Sequence, residues 1–190
     1  MLPAKRDHHA IDHGRRRLLR TAVGAALGVA SGALFAVPMR AREYQLAFYN
    51  THTGESLTTV YAADGHYIPD ALDQINHILR DFRTDTTTAI DLDLLNMLHR
   101  LRARLGVSRY AQFHIISGYR SPQTNAELRN KSQGVAKKSL HMLGKAIDIR
   151  LPGVELAQLR QAAIDLNSGG VGFYPRSNFI HVDTGRVRTW

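Results

Sequence analysis

The 190-residue sequence contains no cysteine. That absence excludes disulfide staples, thiolate zinc fingers and thiol nucleophiles together, so any metal is held by nitrogen and oxygen alone. Long hydrophobic runs are missing too. The most apolar stretch, Thr21 to Val37 (TAVGAALGVASGALFAV), consists mostly of alanine, glycine and valine. It falls short of the about 20 strongly apolar residues that a bilayer span needs. No internal repeat occurs, and no low-complexity tract lies outside the first forty residues. Acidic residues are in the minority, 16 against 25 Lys and Arg, for a formal net charge of +9. Residues 1–41 hold seven of the basic and two of the acidic residues, which leaves 18 and 14 in residues 42–190, a net of +4. The basic character is therefore largely a property of the N-terminal segment. Residues 42–190 also lack aromatics interleaved with basic side chains, the stacking platform that single-stranded nucleic acid requires. No nucleic-acid partner is expected, and the modest positive balance suits an acidic polymer.

The first 41 residues read as an export signal. Arg15-Arg16-Arg17-Leu18-Leu19-Arg20 resembles the twin-arginine pattern with leucine in place of the usual phenylalanine, and the weak apolar stretch follows it. An ordinary secretory signal or an uncleaved anchor is the alternative. Met39-Arg40-Ala41 and Ser31-Gly32-Ala33 are candidate cleavage sites. The expected location is the periplasm, with membrane contact only through this segment. The remaining 149 residues form one domain, large enough to stand without disulfides.

Within that domain, Tyr44–Tyr49 and Ser56–Tyr61 alternate around Thr53-Gly54, which predicts a β-hairpin. Pro69-Asp70 opens a helix spaced by Leu72, Ile75, Ile78 and Phe82, and a second helix is predicted over 90–105, ended by Gly106. Phe113–Ser117 reads as a short buried strand, 125–130 as a helical turn and 133–138 as a basic loop. Strands over 145–150, 171–174 and 179–183 and a helix over 154–166 complete an α+β pattern. His99 reads as a solvated helix residue and His114 as a satisfied structural histidine.

The chemistry sits in two stretches. Ser139–Asp148 (SLHMLGKAID) places a histidine and an aspartate around a glycine, and Asn178–Asp183 (NFIHVD) is an alternating strand. On that strand His181 and Asp183 share a face, while Ile180 and Val182 point to the core. If the strands are neighbours, His141, Asp148 and His181 form a ligand set of two imidazoles and one carboxylate. Three such ligands leave a fourth position open, as catalytic zinc sites do.

The pattern Ser139-x-His141-x-x-Gly144-x-Ala146-x-Asp148, followed by Phe179-Ile180-His181-Val182-Asp183, resembles the LAS-type zinc D,D-peptidases (peptidase family M15), in particular their exported murein endopeptidases. Ser117–Pro122 (SGYRSP) and Gly170–Tyr174 (GVGFY) belong to the same resemblance, which spans the chain after the leader. It implies a small single domain with a central antiparallel sheet flanked by helices, and one Zn²⁺ held by His141, Asp148 and His181. The substrate it implies is the peptidoglycan cross-bridge, bonded D-Ala–diaminopimelate or diaminopimelate–diaminopimelate.

In several relatives the residue three before the final histidine is a carboxylate, or the residue two before it a second histidine. Here those positions are Asn178 and Phe179, and Asp183 is the remaining candidate for the general base. Its alternative role is to orient an imidazole. The matching arginine of the family lies in the cleft, so Arg120 is a candidate for binding a carboxylate or the developing oxyanion. Ser139 is read as a loop-fixing hydrogen-bond partner, and Tyr119, Tyr174 and the 133–138 loop as sites of selectivity. A carboxypeptidase, or a non-catalytic wall-binding module that keeps the metal, is the alternative function. A monomer is the expected state.

Overall fold

The computed structural model describes residues 42–131 and 134–190; the expected leader over 1–41 lies outside them. The predicted hairpin is present as β1 (Glu43–Asn50) and β2 (Ser56–Ala63), antiparallel, with Leu46, Ala47 and Phe48 buried. A two-residue strand, β3 (His66–Tyr67), follows, then α1 (Pro69–Ile78), which has proline in its first turn where a missing N–H costs nothing. The second helix, α2 (Leu92–Arg104), begins two residues later than the spacing predicts. Asp91 caps it, its side chain accepting from the Asp93 amide at 2.9 Å.

Next come β4 (Phe113–Ser117) and α3 (Pro122–Lys131), longer than the expected turn. Its start is set by Ser121, whose hydroxyl accepts from the Thr124 amide at 3.1 Å with Pro122 directly after it. The chain continues with β5 (Ala146–Arg150), α4 (Leu156–Asp165), β6 (Gly170–Tyr174), β7 (Phe179–Asp183) and β8 (Arg188–Thr189). All eight strands form one sheet in the order β3-β2-β1-β4-β5-β7-β6-β8. The sheet is antiparallel apart from two parallel pairs, β1 with β4 and β6 with β8.

On one face, Ile147 and Ile149 of β5 and Ile180 and Val182 of β7 join Leu94, Leu98 and Leu101 of α2 and Leu159 of α4 in one apolar core. On the other face the register sets Asp148 opposite His181, and His181 opposite Gly172. The fold is thus the expected small α+β domain. Two histidines differ from expectation. His99 is half-buried against the Tyr44 ring, with Nδ1 3.3 Å from the Gln45 carbonyl, and burial lowers its pKa. The His114 ring lies tilted beside that of Tyr49, but among the described residues its buried Nδ1 has no hydrogen-bond partner, so it is not the satisfied histidine expected.

Candidate metal centre

The SLHMLGKAID stretch folds as a short 3-10 segment, Leu140–Leu143, running into β5. Ser139 caps the segment, its hydroxyl accepting from the His141 amide at 3.3 Å. Gly144 ends it in the left-handed region (φ 66°), and its missing side chain lets the backbone pass against the Ala89 carbonyl. These two features turn the His141 ring toward β5 and β7.

His141 Nδ1 donates to the Gly118 carbonyl at 2.7 Å, which fixes the tautomer and leaves the Nε2 lone pair facing inward. His181 is fixed in the opposite sense. Its Nε2 lies 2.9 Å from Asp183 Oδ2, and a ring that donates there turns Nδ1 inward as its ligand atom. The three inward atoms stand close together. His181 Nδ1 is 2.9 Å from Asp148 Oδ1 and 3.2 Å from His141 Nε2, and His141 Nε2 is 3.3 Å from Asp148 Oδ1. Three electron-rich atoms so placed repel one another unless a proton or a cation lies between them. A tetrahedral ion with bonds of about 2.0–2.1 Å to its ligands needs ligand separations of about 3.3–3.4 Å, and the observed triangle lies within a few tenths of an ångström of that. Burial opposes ionisation of Asp148, but the His141 and His181 rings outweigh it and hold the carboxyl well below its ordinary range. Burial likewise pulls His181 down, and its bonds to Asp148 and Asp183 overcome this and raise it.

Asp183 is wholly buried, at 0% exposure. Its Oδ1 accepts from the amides of Gly170 (3.2 Å) and Gly185 (2.8 Å) and from Arg188 Nη1 (3.0 Å), while Oδ2 accepts from Arg188 Nη2 (2.7 Å) and His181. Although burial works against it, these donors hold its carboxyl well below the usual range. Arg120, 9% exposed, lies on the other side of Asp148, with Nη2 3.5 Å from Oδ2 and 3.2 Å from the Ser117 hydroxyl. Among the described residues its buried Nε has no partner.

The triangle opens into a cavity of about 420 Å³, lined further by Arg120, Lys138, Tyr174, Phe179, Arg188 and Trp190. Tyr174 stacks on Phe179 at 4.7 Å, and its hydroxyl accepts from the Trp190 indole at 2.9 Å. Tyr119 does not line this cavity. It faces a separate hollow beside His52 and Phe82, its amide bonded to the Leu79 carbonyl. Asn178 is also elsewhere, in a groove beside His114 and Arg150. Arg188 and Trp190 were not anticipated, because a two-residue strand at a sheet edge leaves no periodic pattern. The signal that points to them is Gly170-x-Gly172 opposite Asp183 and His181, two gaps on the site face of β6 that something must fill.

Comparison with known proteins agrees with this architecture. The model of the M15 peptidase family described as peptidoglycan L,D-endopeptidase MepK matches residues 39–190. The chain is 44% identical over 181 residues to peptidoglycan L,D-endopeptidase MepK of Escherichia coli K12 and to that of Shigella flexneri, covering 94% of this chain and 98% of each relative. It is 40% identical over 182 residues to the probable peptidoglycan L,D-endopeptidase MepK of Haemophilus influenzae, covering 95% and 97%. An α+β peptidase with a site able to hold a metal is the class thus defined. The chain belongs to the M15 metallopeptidases, in the family described as peptidoglycan L,D-endopeptidase MepK.

Proposed function

We propose that this protein is a zinc-dependent murein endopeptidase, with His141 Nε2, Asp148 Oδ1 and His181 Nδ1 as the zinc ligands. The observation that supports the reading is the triangle of three inward-facing ligand atoms at ligand spacing, beside an open cavity. When bound, zinc supplies Lewis acidity, which polarises a scissile carbonyl and makes water acidic enough to attack near neutral pH. Gly118 and Asp183 hold the two rings in complementary tautomers, so that one ring offers Nε2 and the other Nδ1. The five donors around Asp183 support this orienting role for it over that of general base, since a proton acceptor needs a free lone pair directed at the cavity. Ser139 holds His141 through its amide. Arg120, whose Nε has no partner among the described residues, lines the cavity where it can bind a substrate carboxylate or the oxygen that gains charge during attack.

The name L,D-endopeptidase borne by the relatives describes a bond whose carbonyl comes from an L-centre and whose nitrogen lies on a D-centre. In cross-linked stem peptides that is the diaminopimelate–diaminopimelate bond, which we propose as the substrate here. Diaminopimelate carries more than one ionised group near the bond, and the cationic side chains of Arg120, Lys138 and Arg188 line the cavity. Such a substrate lies in the periplasm, in keeping with residues 1–41 as an export signal. Among the described residues no helix is long and apolar enough to cross a membrane.

The purified protein is expected to bind one zinc ion per chain and to convert diaminopimelate-linked muropeptide dimers to monomers, with a chelator abolishing the activity and zinc restoring it. Zinc and sacculus binding with dimers left intact would instead support a wall-binding module. Cleavage of D-Ala–diaminopimelate dimers alone would overturn the assigned bond.

A further inference from the structure

The single tryptophan of the chain, Trp190, stands beside the candidate metal centre without a role in holding it. Its ring centroid lies 5.3 Å from that of His181, and the ring lines the cavity. The indole is held from several sides. Its N–H donates to the Tyr174 hydroxyl at 2.9 Å, and the Arg188 guanidinium lies 4.7 Å from its ring centroid. Its backbone is zipped to β6, the Trp190 amide donating to the Val171 carbonyl (3.2 Å) and the Phe173 amide to the Trp190 carbonyl (3.0 Å).

Gly172 makes the seat. It stands opposite His181 across the strands, and a Cβ placed there would lie 2.7–2.9 Å from three indole atoms. Despite these anchors Trp190 remains 47% exposed. A large aromatic ring that is fixed in orientation yet half uncovered has lost its freedom without completing its burial. What remains is a flat, preorganised surface, the property that makes aromatic side chains energetic anchors in recognition.

We infer that Trp190 is a substrate-contact residue, its exposed face stacking on the peptide planes and aliphatic chain of a diaminopimelate residue next to the scissile amide. The wall is extended by the stacked pair Tyr174 and Phe179. The substrate class rests on the zinc peptidase reading, and the test separates the two. Because no other tryptophan exists, indole fluorescence of the full chain reports on this ring alone.

With zinc removed to stop turnover, titration with purified diaminopimelate-linked muropeptide dimer is expected to give a saturable change in emission. In the zinc-loaded protein, Trp190→Ala is expected to raise KM about tenfold, equivalent to about 1.4 kcal/mol of lost contact. Its zinc content and kcat should be little changed, and Trp190→Phe should recover most of the loss. Gly172→Ala removes no polar group and needs no unusual backbone angle, so it should reproduce the Trp190→Ala defect by displacing the ring.

Emission that ignores the dimer overturns the inference whether or not the protein cleaves. An unchanged KM in Trp190→Ala, or a defect explained by zinc loss, overturns it as well. Saturable emission from a protein that cleaves nothing would uphold the contact while removing the peptidase reading.

Discussion

Asp183 shows how much of the candidate metal centre is decided behind its ligand atoms. Its carboxylate receives two backbone amides, two guanidinium nitrogens and one imidazole. Replacing it with asparagine preserves shape but removes the charge that faces Arg188 and allows an amide N–H to point at His181. Asp183→Asn is therefore expected to weaken zinc binding about 10- to 100-fold, the usual cost of losing such a partner. Competition with a chromophoric chelator measures it, and unchanged affinity would favour the general-base role. The sequence alone left these two roles open because a His-x-Asp strand says which face both residues share, not what lies behind them. Arg188, which settles the surroundings of Asp183, comes five residues later on an edge strand of only two residues. The alternation that sends Ile180 and Val182 to the core and His181 to the opposite face is local geometry and was legible; that β5 and β7 are neighbours, which brings His141, Asp148 and His181 together, was not, and rested on the resemblance.

Elements were legible in proportion to their length. The hairpin and α2 show clear periodicity, whereas β3 and β8 are two residues each, and the parallel pairing of β1 with β4 joins residues far apart in sequence. At this scale Asp91 does more than cap α2. Its carboxylate also accepts from the Thr184 hydroxyl at 3.0 Å, its amide donates to the Gly144 carbonyl at 3.0 Å, and Lys145 Nζ lies 3.6 Å away. It joins the start of the helix to both site-bearing segments. Asp91→Ala is expected to cost about 1–2 kcal/mol in urea unfolding, at the upper end for a helix cap. A second junction lies at Arg80, which bonds Glu55 of the hairpin turn and Asp85 of the loop after α1.

Hydrogen bonding to Arg80 lowers the Glu55 pKa from 4.5 to about 2. A depressed carboxyl stabilises the fold fully above its unfolded value and loses that contribution as pH falls through its folded one. The stability gap between wild type and Glu55→Gln, at most about 1 kcal/mol for so solvated a pair, is expected at pH 7. It should close between about pH 4.5 and pH 2, as read by thermal unfolding across that range. A gap independent of pH would mean that the pair does not stabilise the hairpin turn through its charge.

For the molecule as a whole, the three candidate ligand atoms come together only in the native state, so a cation that binds them binds only there. Zinc should therefore stabilise the protein, by about 2.7 kcal/mol at a free concentration one hundred times Kd. Chelation should lower Tm, and zinc should restore it; a Tm indifferent to zinc would argue against the ligand set. The sheet carries this site at its centre and ends at both edges in two-residue strands, which offer little template for pairing with another chain.

The two gaps in β6 tie the site to β8 and to Trp190 beside it. Arg188 and Trp190 are plugs, held on an outer edge by few backbone bonds, yet one neutralises the carboxylate behind His181 and the other covers its flank. Losing both side chains would spare His141, Asp148, His181 and every core residue while letting water in behind the imidazole. Such a protein should fold and yet cleave poorly, so the chemistry depends on two side chains that hold none of the candidate ligand atoms.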